Sequence, residues 1–473
     1  MINNTNPAAP SVEKPTRPLP ARQQCTGCAA CEKICPFGAI SMRADAEGFL
    51  YPQIDPSLCR DCGLCAKQCP SLKPPKADSS HTQCYAVLAE DAVRLHSSSG
   101  GAFTLLARQV LAQKGVVYGA AFEKDWSVKH RAAETEEDLY PLCTSKYVQS
   151  NAAACFADIQ KNLEQGRAVL FTGTPCQVAG LYACLGKDYP QLMTADCVCH
   201  GVPNNEVWQK YLADNFDLKA LSALSFRDKT KLGWKASTLS VYFKDASHKL
   251  QSSYFDGFNH NLYLRPSCEN CLYTHIHRQA DFTLADFWGI DDVDLEANDR
   301  KGTSLLLVHT QKASRLVEQL RPQAKWIKEY PVSVLDHSPN YPLWRSSKFH
   351  PERAAFFKEF RSVPFNTLVD KLLYTKFDVG IVGPYTVENY GNNIQYYSLY
   401  RAVLKEGYSA LMIERPKNAI WKPNERPVLF SENPYDPKDL APIFPSKRAM
   451  RQLNKKVKSF LVGSDQLFRC HLY

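Results

Sequence analysis

The runs Cys25-Thr-Gly-Cys28-Ala-Ala-Cys31-Glu-Lys-Ile-Cys35-Pro36 and Cys59-Arg-Asp-Cys62-Gly-Leu-Cys65-Ala-Lys-Gln-Cys69-Pro70 share one spacing, Cys-x2-Cys-x2-Cys-x3-Cys-Pro. Three thiolates at i, i+3 and i+6 can wrap one iron–sulfur cubane from a short loop, whereas the fourth lies too far along and ligates the other cluster. On that logic Cys25, Cys28, Cys31 and Cys69 hold one 4Fe–4S cluster, and Cys59, Cys62, Cys65 and Cys35 the second. A lone Cys-x2-Cys would serve zinc or a redox dithiol equally well. Zinc sites, however, take two such pairs or Cys/His mixtures, and disulfides need an oxidising compartment.

This cadence resembles the bacterial two-cluster ferredoxins and implies one-electron transfer. The rest of the composition sets bounds. A chain of 473 residues has room for two to four domains. Its 44% hydrophobic and 22% charged residues are ordinary for a soluble globular protein. No stretch approaches the roughly 18 apolar residues needed to span a bilayer. Residues 1–22 have no apolar segment of the kind that marks a signal peptide and are expected to be a disordered lead-in. We therefore expect a cytoplasmic protein, where 18 cysteines stay reduced and bind metal. The formal charge of +9 raises nucleic acid as a partner. Lys and Arg are dispersed and no nucleic-acid module is present, so none is expected. The basic run Lys447–Lys458 is expected to be a solvated helix face.

Composition divides the chain further. The ferredoxin segment covers residues 23–76, with Gly48–Pro52 as a short hairpin element and Pro70–Ser80 reading as a linker. From Cys84, strand, small-residue turn and helix alternate in an α/β pattern. The strands expected are 84–89, 115–121, 168–172 and 193–199, with helices at 104–113 and 153–165. Residues 222–255 alternate as antiparallel strands do. This second region, residues 82–365, ends where Pro, Trp and Arg cluster. A third, residues 374–473, opens with the strand 377–383, a helix over 394–404 and a strand over 410–413. It ends soon after a strand over 460–466 and is expected to be cut short. The fold class expected is α+β multidomain: a ferredoxin module, an α/β core, and a partial Rossmann-like lobe.

Four more cysteines stand apart in the middle region. Cys176 and Cys199 follow strands, and Cys268 and Cys271 form a Cys-x2-Cys. Strand ends gather at one edge of an open α/β sheet, so these four could converge on a third metal site. They could equally be small buried hydrophobes, the role expected for Cys84, Cys143, Cys155, Cys184, Cys197 and Cys470. The loops Ser97–Gly101 and Gly173–Pro175 are candidate phosphate cradles, because glycine lets backbone amides approach an anion and a following helix adds its dipole. Plain tight turns are the alternative. Asp286 and Trp288 end a strand and could orient a cofactor.

At this point the residues resemble the coenzyme F420 hydrogenase/dehydrogenase beta subunit family. The matching stretches are Ser97–Phe103, Ser145–Ser150, Phe171–Leu181, Cys199–Pro203, Ser225–Lys229, Cys268–Cys271 and Asp281–Gly289, in family order. The resemblance implies a flavin-binding core, FAD, and a cluster beside it, with Cys176, Cys199, Cys268 and Cys271 as ligands of a third 4Fe–4S cluster. It also implies FAD contacts at Ser98, Ser99, Gly100, Gly101, Lys146, Gly173, Thr174 and Pro175. It does not settle the substrate, and nothing in the sequence reads as a deazaflavin pocket. Tyr390–Leu399 and Val462–Gln466 are similar to polysaccharide pyruvyl transferases, a glycosyltransferase-like fold of two lobes. Only the first lobe is matched, so transferase activity is in doubt.

The function expected is an iron–sulfur flavoprotein oxidoreductase passing electrons between the clusters and FAD, which exchanges them with a small carrier or substrate. The partner is a redox protein or small electron carrier. No catalytic side chain is singled out. A non-catalytic electron-transfer subunit is the first alternative; a pyruvyl transferase fusion with an incomplete transferase part is the second.

Overall fold

The computed structural model describes residues 19–74, 81–234, 238–336, 338–374, 377–383, 390–414 and 457–462. The chain forms two compact units, Met1–Asn366 and Thr367–Tyr473. The ferredoxin segment and the α/β region, read as separate domains from composition, lie within the first.

In the ferredoxin segment the two cysteine runs adopt the same local backbone. Gly27 and Ala29 in the first, and Asp61 and Gly63 in the second, all take positive φ. The left-handed residue starts a short helix in each copy, Ala30–Ile34 and Leu64–Lys67. Strands β1 (Ile40–Ala44) and β2 (Leu50–Ile54) pair antiparallel between the runs. Their connecting turn grips the rest of the unit. The Glu47 carboxylate pairs with Arg22 and Arg353, Asn204 donates to the Glu47 carbonyl at 2.6 Å, and Arg361 donates to the Ala46 carbonyl at 2.7 Å.

The main sheet has eight strands. β3 (Gln83–Ala89), β4 (Val116–Phe122), β5 (Val128–Ala133), β6 (Val169–Gly173) and β7 (Leu192–Cys197) come first in the chain. A separate antiparallel sheet of β8 (Leu221–Ser225), β9 (Leu239–Phe243) and β10 (His248–Gln251) follows. The main sheet is completed by β11 (Phe282–Asp286), β12 (Ser304–Val308) and β13 (Ala324–Tyr330). Its order is β13-β3-β12-β11-β7-β6-β4-β5. β4, β6, β7 and β11 are mutually parallel, so their C-terminal ends share one edge. The β12, β3 and β13 side is antiparallel, and that half departs from the α/β alternation expected from sequence. Buried runs such as Leu305–Val308 and Tyr85–Ala89 are apolar on both faces, and such a run does not disclose strand direction.

A buried polar network crosses β7, β11 and β12. Thr283 lies 3.0 Å from His309 Nε2 and donates to Asp196 at 2.6 Å, while Asp281 accepts from Thr194 N and Thr310. Burial, with the charges of Arg278, His277 and His275, lowers His309 to about 3. His309 is thus neutral in the folded chain and titrates near 6.5 when unfolded. A depressed histidine contributes stability above the unfolded value and loses it as pH falls toward the folded one. Between pH 7 and pH 4.5 the loss is about 2.5 kcal/mol. His309→Gln should therefore be less acid-sensitive than wild type by that amount, read from urea unfolding of both proteins at the two pH values. Equal pH dependence would refute this.

In the second unit, β14 (Phe377–Gly383) pairs parallel with β15 (Ala410–Glu414) and β16 (Val457–Val462). The helix Tyr390–Lys405 packs Tyr396, Tyr400 and Val403 against Ile381, Ala410 and Met412. The Pro-rich stretch after this sheet's second strand, residues 447–456 of the basic run, and residues 463–466 lie outside the described residues. Among the described residues no helix is long and apolar enough to cross a membrane.

Candidate functional site

A cleft of about 450 Å³ opens at the C-terminal edge of the parallel strands, within the size range of cofactor pockets. Gly173 and Thr174 at the end of β6, Asp196 to Val202 at the end of β7, and Ala285, Asp286 and Trp288 at the end of β11 line its wall. This is the edge at which an open parallel sheet gathers its ligand-binding loops.

Of the residues expected to contact a cofactor, Ser98, Ser99, Gly101, Lys146, Gly173 and Thr174 line the cleft. Gly100 and Pro175 do not. The bareness of Gly100 serves packing, since a Cβ there would lie 2.1 Å from the Val87 carbonyl and 2.4 Å from Ser304 N. Pro175 instead borders the cysteine cavity described below and is the first residue of the helix Pro175–Leu185. The serine loop is tied down on several sides. Ser98 Oγ accepts from Ser145 N at 2.9 Å, Ser99 donates to the Thr303 carbonyl at 2.8 Å, and Lys229 donates to the Ser99 carbonyl at 2.6 Å. Both loops precede helices of 11 residues, Ala102–Ala112 and Pro175–Leu185. A capping box between Thr174 and Gln177 closes the second. Burial brings half-buried Lys146 down to about 7.

The opposite wall is aromatic and cationic. Tyr147 meets Phe255 and Phe258 edge-on at 4.9 and 5.1 Å. Arg227 pairs with Asp286 at 2.8 Å, and Trp234 Nε1 donates to the same carboxylate at 2.6 Å. Trp234 stacks on Trp288 at 5.0 Å. Arg227 Nε is buried with no hydrogen-bond partner among the described residues. Asp286 thus holds an arginine as well as ending its strand, a role the sequence does not disclose.

Behind the cleft is a smaller cavity lined by Cys176, Cys199, Cys268 and Cys271 together. The two cavities share Thr174, Cys199, His200, Gly201 and Val202 as a common wall. His200 is fixed from both sides, its Nε2–H donating to Asn261 at 2.6 Å and its Nδ1 accepting from Tyr341 at 2.5 Å. Burial pushes Cys268 up to about 12 and Cys271 to about 11. The hydrogen-bonded Cys197 thiol, then burial, holds Cys199 well above its ordinary value. Four thiols that resist ionising in a low-dielectric pocket need a positive partner to become thiolates, and iron supplies one. The donor set therefore fits an iron–sulfur cluster.

The ferredoxin cysteines divide in the same way. Cys35, Cys59, Cys62 and Cys65 line one cavity. Cys25, Cys28 and Cys69 all act electrostatically on Cys31, and burial raises Cys28 to about 11. Each set takes its fourth cysteine from the other run. Among the described residues no group of three or more His, Cys, Asp or Glu side chains is arranged to hold a single metal ion; the cysteines are spread around cavities instead.

Two cysteines read as buried hydrophobes need correction. Cys143 and Cys197 are half-buried and line the cleft, because they sit on a loop and at the end of β7 rather than inside the sheet. Cys84 and Cys155 are buried as expected, and half-buried Cys184 packs near the Ala30 carbonyl at 3.7 Å. Cys470 lies outside the described residues.

Residues 24–72 match the 4Fe-4S dicluster domain. Residues 166–332 match the family described as the C terminus of the coenzyme F420 hydrogenase/dehydrogenase beta subunit. An uncharacterized ferredoxin of Methanocaldococcus jannaschii is 33% identical, the match covering 12% of this chain and 84% of the relative. An uncharacterized protein of the same organism is 24% identical over 35% of this chain and 54% of its own length; the chain thus spans about half of that relative. A solved structure, the F420-reducing NiFe hydrogenase complex from Methanosarcina barkeri in a xenon derivative, aligns over 63% of this chain and 94% of that one, at 17% identity and a TM-score of 0.39. The first segment makes this a dicluster iron–sulfur protein of the ferredoxin class. Residues 166–332 are similar to the C-terminal part of the coenzyme F420 hydrogenase/dehydrogenase beta subunit family.

Proposed function

We propose that the protein is an iron–sulfur flavoprotein oxidoreductase with three 4Fe–4S clusters and FAD. Cys25, Cys28, Cys31 and Cys69 would hold the first cluster, Cys35, Cys59, Cys62 and Cys65 the second, and Cys176, Cys199, Cys268 and Cys271 the third, with FAD in the cleft. The observation that carries this is the common wall: Thr174 and Cys199 to Val202 face the cysteine cavity on one side and the cleft on the other. Bound there, FAD would convert between the one-electron steps of iron–sulfur centres and two-electron exchange with a small carrier or substrate.

The chain's own residues suit that ligand. Ser98, Ser99, Gly173 and Thr174 stand just before helix N-termini, which favour phosphate oxygens. Lys146 and Arg227 also line the cleft and can donate hydrogen bonds to an anion. Tyr147, Phe255 and Phe258 offer an aromatic wall to a flat ring. A redox partner protein would meet the outer ferredoxin set, where Cys62 is exposed.

Anaerobic purification followed by chromatography of the released flavin tests the proposal. Stoichiometric FAD is the expected result. Protein with its iron intact and no flavin would leave an electron-carrying subunit instead.

A further inference from the structure

The two ferredoxin sets stand differently toward the core. The cavity of the outer set, Cys35, Cys59, Cys62 and Cys65, is lined only by residues 35–65. The inner set is built into the core. Arg265, three residues before Cys268, donates from Nε to the Cys25 carbonyl at 2.8 Å. Gln149 donates to the Thr26 carbonyl at 3.0 Å. The helix that carries Cys176 in its first turn packs Gly180 on Cys28 so closely that a Cβ there would stand 2.9 Å from the Cys28 Cβ and 3.3 Å from its sulfur.

Tyr273 lies where the core cysteine cavity meets the inner ferredoxin loop. It follows Cys271 by two residues, is 7% exposed, and borders the core cysteine cavity together with Thr26 of the inner loop. The same cavity is lined by all four core cysteines, and Thr26 is the neighbour of Cys25 in the inner set. The Tyr273 hydroxyl is buried with no hydrogen-bond partner among the described residues. A buried hydroxyl left unpaired costs free energy, so this ring is kept at a price that needs a reason beyond filling space.

We propose that Tyr273 is the packed contact through which the inner ferredoxin set and the core set exchange electrons, which makes the outer set the terminal station toward a partner and never the direct neighbour of the core. The inference rests on the three-cluster reading above. The step moves one electron: one set is oxidised by one and the other reduced by one, and no bond forms or breaks. Tyr273 acts as the packed medium between the sets, not as a carrier in its own right.

The test compares wild type, Tyr273→Phe and Tyr273→Leu, each reduced anaerobically by rapid mixing with a small ferredoxin-directed reductant. Freeze-quench electron paramagnetic resonance follows the ferredoxin and core signals, and iron is assayed in every sample. Wild type and Tyr273→Phe should show core reduction following ferredoxin reduction in one fast phase. In Tyr273→Leu with full iron that fast phase should be lost. An unchanged fast phase in Tyr273→Leu would overturn the role of the ring while leaving the three clusters standing. Wild type with iron for only two clusters would overturn both. If Tyr273→Leu does not retain its iron, magnetic splitting in fully reduced wild type decides: coupling of the core signal to the inner set supports the order, and coupling to the outer set overturns it.

Discussion

Cys268→Ala should lower bound iron from about twelve to about eight atoms per chain, the content of two cubanes instead of three. Cys268 shares its cavity with Cys176, Cys199 and Cys271, and each is a separate corner of the donor set. Removing one leaves three thiols whose ionisation burial already opposes. The remaining set then lacks the charge and the closure to hold four irons. The ferredoxin signals should be unchanged, since Cys25 to Cys69 supply their own eight ligands. Cys84→Ala is the comparison: Cys84 is fully buried in β3, lies outside the donor set, and should keep the wild-type iron. Iron assay with electron paramagnetic resonance of the reduced proteins reads both. Full iron in Cys268→Ala would remove the third site.

Arg265→Met should loosen the ferredoxin segment from the core. The Arg265 side chain is 1% exposed. Its guanidinium donates to the Cys25 and Leu50 carbonyls, both at 2.8 Å, and to Gln149 at 3.1 Å. It lies over the Tyr51 ring at 4.5 Å, and Gly27 leaves the space it occupies. Methionine matches the apolar stem but strands two carbonyls, at a cost on the order of 3 kcal/mol. Lysine would not rescue it, because a point charge cannot reproduce the planar fork. Hydrogen exchange over residues 22–54 should accelerate in Arg265→Met, and the urea midpoint should fall. Exchange and midpoint both at wild-type values would show that the guanidinium is not what holds the segment.

These contacts mark where sequence stops being informative. The two ferredoxin runs are legible because their ligands are local and their spacing is geometric. The four core cysteines are legible only as a possibility, since Cys176 and Cys268 meet through the sheet and not through the chain. Arg265 and His200 sit beside cysteines in the sequence, yet their roles depend on partners such as Cys25 and Tyr341, far away along it. The loops at Ser98 and Gly173 reach the cleft because helices follow them. Gly100 shows the opposite case, a glycine whose bareness serves the sheet behind it. The antiparallel half of the sheet stayed hidden for a related reason: a strand buried on both faces carries no periodicity that reports its direction.

The gripping of the β1–β2 turn by Arg353, Asn204 and Arg361 has a kinetic meaning. Because the ferredoxin segment and the core are one chain, held in one compact unit, their meeting is intramolecular and set by an effective concentration, not by diffusion. Transfer between them should be first order, indifferent to dilution and largely to ionic strength. On the proposed order of clusters, only exchange at the outer face would remain a collision, and only that step would depend on the concentration of a partner.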